Sequence, residues 1–252
     1  MAQKKITALI FDMDGLIFDS ERVVQRSWNR AGEVLGIPKM GEHIYHTIGF
    51  NVVRREQYFR TAIREDFPMD RFNELTRAFF KEIVASEGLA MKPGVKELLA
   101  YAKENGYKLA VASSSRREHA VNLLTEAGVY SYFDGSVFGD MVKNAKPDPE
   151  IYRTACEVIQ AVPEETVALE DAPAGVKSAS GAGLRAIMIP DLVQPDEETM
   201  KDVWKKYNTL LDVLELLKEQ EADDKRNTSG GEGIKREKGE GNENERKIKR
   251  KS

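Results

Sequence analysis

Short apolar runs that end in polar residues, each followed by a stretch of helical length, constrain this chain more than any other feature. Residues 6–11, 108–112, 136–138, 166–169 and 185–189 read as strands. From Pro93-Gly94 onward the stretches between them read as helices, with stops at Asn105-Gly106, Ala127-Gly128 and Ala182-Gly183. Strands alternating with helices in this way pair in parallel through crossovers, and both faces of their sheet are covered. The first strand is the exception. Behind it residues 20–85 read as helices alone, with Val23, Val24, Trp28, Ala31 and Leu35 on one face, a stop at Gly36-Ile37-Pro38, and further helices over 52–64 and 70–85.

The expected architecture is therefore an α/β, Rossmann-like core with a mostly parallel sheet, built from residues 1–18 and 93–217, and an all-helical domain inserted over 19–92. A last packed helix is expected over 210–217. Beyond it the chain is Glu, Lys, Arg, Asn and Gly with almost no apolar residue. Such a segment cannot bury enough surface to offset its ordering entropy, so 218–252 is expected to be a disordered charged tail.

At 252 residues the chain is long enough to bury a sizeable core. A net charge of -4 gives no reason to expect nucleic acid as a partner. No run approaches the ~18 apolar residues that cross a bilayer, so no membrane partner is expected either. The single cysteine, Cys156, excludes a disulfide framework and a zinc site built on paired thiolates. It lies at apolar spacing in a helix and reads as a packed thiol. A cytoplasmic monomer is expected.

In open parallel sheets, ligands bind beyond the carboxyl ends of the strands. Asp12, Asp14 and Gly15 follow the first strand, Ser113 and Ser114 the second, and Glu170 and Asp171 the fourth, while Lys146 precedes the helix that starts near Pro149. Taken singly, each has a plain structural use, because Asp and Ser after a strand often cap a helix. Asp148 is given that use, Asp148-Pro149-Glu150 reading as an N-cap, a first-turn proline and an acidic first turn. Taken together at one sheet edge, carboxylates suit a hard cation such as Mg²⁺. Cation and lysine would let a carboxylate approach an anionic phosphate.

Asp12-Met13-Asp14-Gly15, Asp19-Ser20-Glu21, Ser113, Lys146-Pro147 and Glu170-Asp171 with Gly175 resemble the motif set of the haloacid-dehalogenase-like hydrolases. The nearest branch contains β-phosphoglucomutase, sugar-phosphate phosphatases and pseudouridine-5′-phosphatase-like enzymes. The resemblance implies an Mg²⁺-dependent phosphomonoesterase acting on a small phosphorylated metabolite through an aspartyl phosphate. Asp12 would be the nucleophile and Asp14 the acid and base. Gly15, Ser113, Ser114 and Lys146 would bind the phosphoryl group, and Asp12, Asp14 (through its backbone carbonyl), Asp171 and Glu170 the metal. The all-helical insertion over 19–92 would be the family's cap, closing over the site on hinges near Asp19-Ser20 and Lys92 and choosing the substrate. Arg54, Arg55, Arg60 and Arg64 are candidates to meet an anionic substrate, although an arginine-bearing face is commonly just solvated. His43 and His46 are weaker candidates.

A phosphomutase would use the same site. The mutase pattern has a hinge histidine where Val24 stands, and its cap arginine is displaced, since Gly49-Phe50-Asn51-Val52 precedes Arg54. Hydrolysis is the expected outcome. A non-catalytic phosphate-binding module would have no need to keep Asp12, Asp14, Lys146 and Asp171 together. Asp14 also disfavours a dehalogenase, and a cap of this size a protein phosphatase.

Overall fold

The computed structural model describes residues 4–48, 50 and 52–232, with backbone alone for 52 and 227–232. A six-stranded sheet in the order β3-β2-β1-β4-β5-β6 forms its centre, and every pairing is parallel. The strands are β1 (Ala8–Phe11), β2 (Lys108–Ser113), β3 (Gly135–Phe138), β4 (Thr166–Glu170), β5 (Arg185–Met188) and β6 (Val203–Lys206). Helices α5 (Val95–Glu104), α6 (Arg117–Glu126), α7 (Glu150–Val158), α8 (Pro173–Gly181) and the short α9 (Glu197–Met200) occupy the connections.

Every residue of β1 is buried, which is why it carries no polar alternation. Its pleat sends Ala8 and Ile10 to one face. There they meet Ala110, Ala112, Ala168 and Ala186 of neighbouring strands, and Ile151, Tyr152, Ala155 and Cys156 of α7. Cys156 is thus a core thiol, as its spacing implies. Burial pushes its pKa up to about 11, away from thiolate chemistry.

Between β1 and α5 lie α1 (Ser20–Leu35), a 3₁₀ turn (Met40–His43), α2 (Ile44–Thr47), α3 (Val52–Ala62) and α4 (Met69–Glu87), with no named strand among the described residues. They bury a cluster of their own around Trp28, Met40, Ile44, Phe59, Phe67 and Phe72. Trp28 meets Phe59 edge-on with centroids 5.4 Å apart, and Phe59 meets Phe72 at the same separation. Such pairs contribute about 0.5–1.5 kcal/mol each beyond area burial. Val23 and Trp28 are buried on the inward face of α1, and Gly36 stops that helix in the left-handed conformation (φ 67°).

Two elements depart from the sequence reading. The edge strand β6, in Val-Trp-Lys-Lys, was not anticipated, because its lysines obscure the strand period while protecting an exposed edge. The last helix, α10 (Leu210–Glu232), runs past Leu217 and through part of the segment expected to be disordered. Over residues 218–226, Glu, Gln, Lys, Arg and Ala favour the helix, and ion pairs at helical spacing, Lys218 to Glu215 and Arg226 to Asp223, add to it without large apolar residues. The chain divides into the units 1–214 and 215–252. What was expected of residues 233–252 lies outside the described residues. No described helix is long and apolar enough to cross a membrane.

Candidate active site

The chain builds its sheet outward from β1, first through β2 to β3 and then through β4 to β6, so the strand order reverses between β1 and β4. A reversal of this kind leaves a crevice at the carboxyl ends of the two strands. In the register of that pair Phe11 lies opposite Leu169, and the next residues on each strand are Asp12 and Glu170. The Asp12 N–H donates to the Leu169 carbonyl at 3.0 Å, which fixes the backbone from which its side chain leaves.

Lys146 reaches this crevice from the loop ahead of α7. Its Nζ donates to Asp12 Oδ1 at 2.6 Å, to Glu170 Oε1 at 2.6 Å and to the Ala112 carbonyl at 2.9 Å. The loop is shaped by local bonds. Glu150 accepts the Lys143 and Asn144 N–H groups, Asp148 Oδ1 accepts the Glu150 N–H, and Ser178 Oγ donates to the Asp148 carbonyl. The N-cap of α7 is Pro149, one residue beyond the expected Asp148, which stands just ahead of the helix and holds its first N–H through Oδ1. The Tyr152 hydroxyl also donates to Glu170 Oε1. That single oxygen thus accepts from both a lysine and a phenol.

Asp12, Glu170 and Asp171 each place a carboxylate oxygen within 4.8 Å of the others, and all three are buried. Lys146 is the cation that hydrogen-bonds within the group. Burial, opposed by Lys146 and reinforced by Glu170 and Asp14, pushes Asp12 from its ordinary 3.8 to about 7. Asp171 is pushed well up by burial and then by Asp12 and Glu170. Burial alone would discharge Lys146, but Asp12 and Glu170 outweigh it and hold the ammonium charged. Three buried carboxylates thus share one ammonium, and the upward shifts of Asp12 and Asp171 show that their charge is not fully compensated when they ionise. That imbalance and the all-oxygen donor set fit a hard divalent cation.

Asp14 is half-buried at the rim, with Oδ1 accepting from Ser20 Oγ at 2.8 Å and Oδ2 from Ser115 Oγ at 2.7 Å. Ser113 is fully buried and its Oγ accepts the Ser115 N–H, whereas Ser114 is exposed. The site-facing hydroxyl after β2 that sequence reading passed over is thus Ser115, one residue beyond the pair it singled out.

Two glycines fix this packing. Gly15 adopts φ +82°, and a Cβ there would lie 2.2 Å from Asp171 Oδ2. A Cβ on Gly175 would lie 2.0 Å from Glu170 Oε1. Gly15 therefore makes room for the acid cluster itself.

The helical insertion supplies Glu21 and Arg55. Burial first, then Asp14, Asp12 and Asp191, pushes Glu21 up to about 8, with Arg55 opposing. The Arg55 guanidinium lies 5.7 Å from the Trp28 ring centre, and its Nε is buried with no hydrogen-bond partner among the described residues. The other three arginines are engaged elsewhere: Arg60 with Glu56, Arg64 with Asp66, and Arg54 over the Phe50 ring. His43 bonds Tyr58 at 3.1 Å and meets Phe59 edge-on. Val24 packs on the apolar cluster of the insertion. Gly49 and Asn51 lie outside the described residues.

Known proteins resemble this chain in sequence and in fold. The phosphorylated carbohydrates phosphatase of Thermotoga maritima is 37% identical over 182 residues, covering 71% of this chain and 83% of that one. Protein CbbY of Cereibacter sphaeroides is 31% identical over 202 residues, 77% of this chain and 88% of its own. Among solved structures, CbbY from Rhodobacter sphaeroides in complex with phosphate matches with a TM-score of 0.68 at 29% identity, over 81% of this chain and 95% of that one. A putative β-phosphoglucomutase from Thermotoga maritima matches at 0.69 and 30% identity, over 85% and 99%. Residues 9–189, from β1 through β5, match the family model of the haloacid dehalogenase-like hydrolases, and the chain belongs to that family.

Proposed function

We propose that the chain hydrolyses phosphate monoesters of small metabolites, sugar phosphates foremost, through a phosphoryl group carried on Asp12. The observation that carries this reading is the buried Asp12–Lys146 pair at 2.6 Å, flanked by Asp171 and by an Asp14 held on both oxygens by hydroxyls. Lys146 binds Asp12 through Oδ1, which leaves Oδ2 as the attacking atom. That oxygen forms a bond to phosphorus as the ester O–P bond breaks, and Asp14 gives its proton to the departing alkoxide. Asp14 then takes a proton from water, the water oxygen bonds to phosphorus, and the Asp12–phosphorus linkage breaks to release phosphate. Ser113 and Lys146 would hold the phosphoryl oxygens.

Asp12, Asp171 and the Asp14 carbonyl would hold Mg²⁺, which supplies charge neutralisation of the phosphoryl group. Glu170 spends Oε1 on Lys146 and Tyr152, so its part is to hold the lysine. The helices over 19–92 would act as the cap, with Glu21 and Arg55 meeting the leaving group. Val24 in an apolar setting supports hydrolysis over phosphoryl transfer back to a sugar. The named activity of the Thermotoga phosphatase relative supports a carbohydrate substrate.

Purified protein should release phosphate from para-nitrophenyl phosphate and from a panel of sugar phosphates with Mg²⁺ and stop with EDTA. Absence of turnover on the whole panel would refute the reading. Gly15→Ala should cut kcat by about a hundredfold, because the added methyl group must displace Asp171. A turnover within threefold of wild type would show that the cluster tolerates the shift.

A pH dependence of stability follows from Asp12. Its pKa is higher folded (about 7) than its ordinary 3.8, so between these values the folded state holds a proton that the unfolded state has released. Its contribution to metal-free stability is thus greatest at low pH and declines as pH rises through about 7. Mg²⁺ competes with that proton. The rise in Tm on adding Mg²⁺ should therefore be larger at pH 8 than at pH 5, and an equal rise at both would contradict it.

A further inference from the structure

We infer that Asp191 is a positioning residue, a core carboxylate that ties both connections to the helical insertion and the first turn of α1 in the register that aims Ser20 at Asp14. The inference rests on the reading of Asp14 as the acid and base.

The two connections cross between core and insertion side by side. The Asp19 N–H donates to the Ala90 carbonyl at 2.9 Å, the Lys92 N–H donates to the Ile17 carbonyl at 2.8 Å, and Phe18 and Met91 form an antiparallel bridge between them. Main-chain bonds join the connections to each other. Side chains join them to the core, and they converge on Asp191, in the loop that follows β5. Its Oδ1 accepts from Lys92 Nζ at 2.6 Å and from Arg22 Nη1 at 2.7 Å. Asp19 completes the group, 3.2 Å from Lys92 and 2.5 Å from Arg22. Burial opposes the charge on Asp19, but bonds from Arg22 and Lys92 prevail and hold its pKa below the usual range. One residue on, Leu192 packs against the apolar cluster of the insertion. This core loop therefore grips the insertion by charge and by apolar contact at adjacent positions.

The carboxylate is badly placed for stability alone. The Asp191 side chain is only 3% exposed, and Oδ2 is buried with no hydrogen-bond partner among the described residues. A buried ion pair with an unsatisfied oxygen is a poor source of net stability, whereas a fixed point charge between two cations specifies geometry well. The geometry it specifies is that of the first turn of α1. Arg22 shares that turn with Ser20, whose Oγ lies 2.8 Å from Asp14 Oδ1, and with Glu21, which senses Asp12, Asp14 and Asp191. The path from Asp191 to Asp14 thus runs through one salt bridge, one helical turn and one hydroxyl.

The test compares wild type with Asp191→Asn, and with Lys92→Met as a second variant that keeps Asp191 charged. Amide hydrogen exchange and the kinetics of para-nitrophenyl phosphate hydrolysis with Mg²⁺ are read in parallel. In both variants, amides over 17–22 and 90–92 should exchange about tenfold faster while those of β1 and β4 hold their rates. The kcat should fall about tenfold with KM within twofold, because the groups holding the phosphate are untouched. Faster exchange spread through β1 and β4 would reduce Asp191 to a structural ion pair and overturn the inference. So would unchanged exchange in the connections, or faster exchange there with kcat intact. A wild type without turnover would refute the hydrolase reading instead, and the exchange pattern alone would then decide whether Asp191 ties the connections.

Discussion

Asp12→Asn is expected to reduce phosphate release by about ten-thousandfold or more while leaving the metal-free protein at least as stable as wild type. Asparagine matches aspartate in shape and keeps an acceptor for Lys146, but a neutral amide has no carboxylate oxygen to bond phosphorus. The stability half of the expectation comes from the electrostatics. Burial is the largest reason that Asp12 is pushed up to about 7, and Glu170 and Asp14 push it further. Above that pH the folded protein bears a poorly solvated negative charge, which asparagine removes. Lys146 keeps Glu170 as its partner at 2.6 Å. The metal-free Tm at pH 8 should rise or hold, and most of the shift on adding Mg²⁺ should vanish. An acid-quenched wild-type reaction should trap phosphate on the protein, and the variant should trap none. Residual turnover above about one per cent would remove Asp12 from the nucleophile's role.

Sheet topology decides which parts of the site were legible in the sequence. Asp12, Asp14, Glu170 and Asp171 were accessible because strand ends can be read locally and parallel topology brings their carboxyl ends to one edge, and Lys146 because it stands just ahead of a legible helix start. Geometry within a loop could not be read in this way. Ser113, Ser114 and Ser115 are identical in type, and only the turn after β2 decides that Ser115 meets Asp14 while Ser114 faces solvent. Tyr152 looks like one more apolar residue of α7, since nothing in its spacing marks the hydroxyl that reaches Glu170. Among four arginines of the insertion, a solvated face was the expected reading. It describes Arg60 and Arg64 and misses Arg55, whose direction depends on how α3 packs against Trp28. Asp191 has no motif around it, because its partners come from residues far away in the chain. The sheet itself was readable except for β6, whose edge position permits lysines that blur the pattern.

Lys146→Met should damage both fold and reaction, and the fold more than any other change considered. Lys146 is 6% exposed and donates to Asp12, Glu170 and the Ala112 carbonyl at once, so it ties the ends of three neighbouring strands. Methionine fills much the same volume, and the loss is therefore of charge and donors rather than packing. Removing one partner of a buried ion pair costs about 3–5 kcal/mol, since the carboxylates left behind are neither solvated nor paired. At neutral pH the variant should unfold at a markedly lower denaturant concentration than wild type. The deficit should shrink on acidification, because protonating Asp12 and its neighbours removes the charge that has lost its partner. Mg²⁺ should recover part of the stability by neutralising the same carboxylates, and little of the turnover, because no ammonium remains to hold the phosphoryl oxygens; kcat should stay about a hundredfold to a thousandfold below wild type. If acid does not narrow the stability gap, Lys146 is acting through packing, and the charge imbalance in the crevice is not what makes it indispensable.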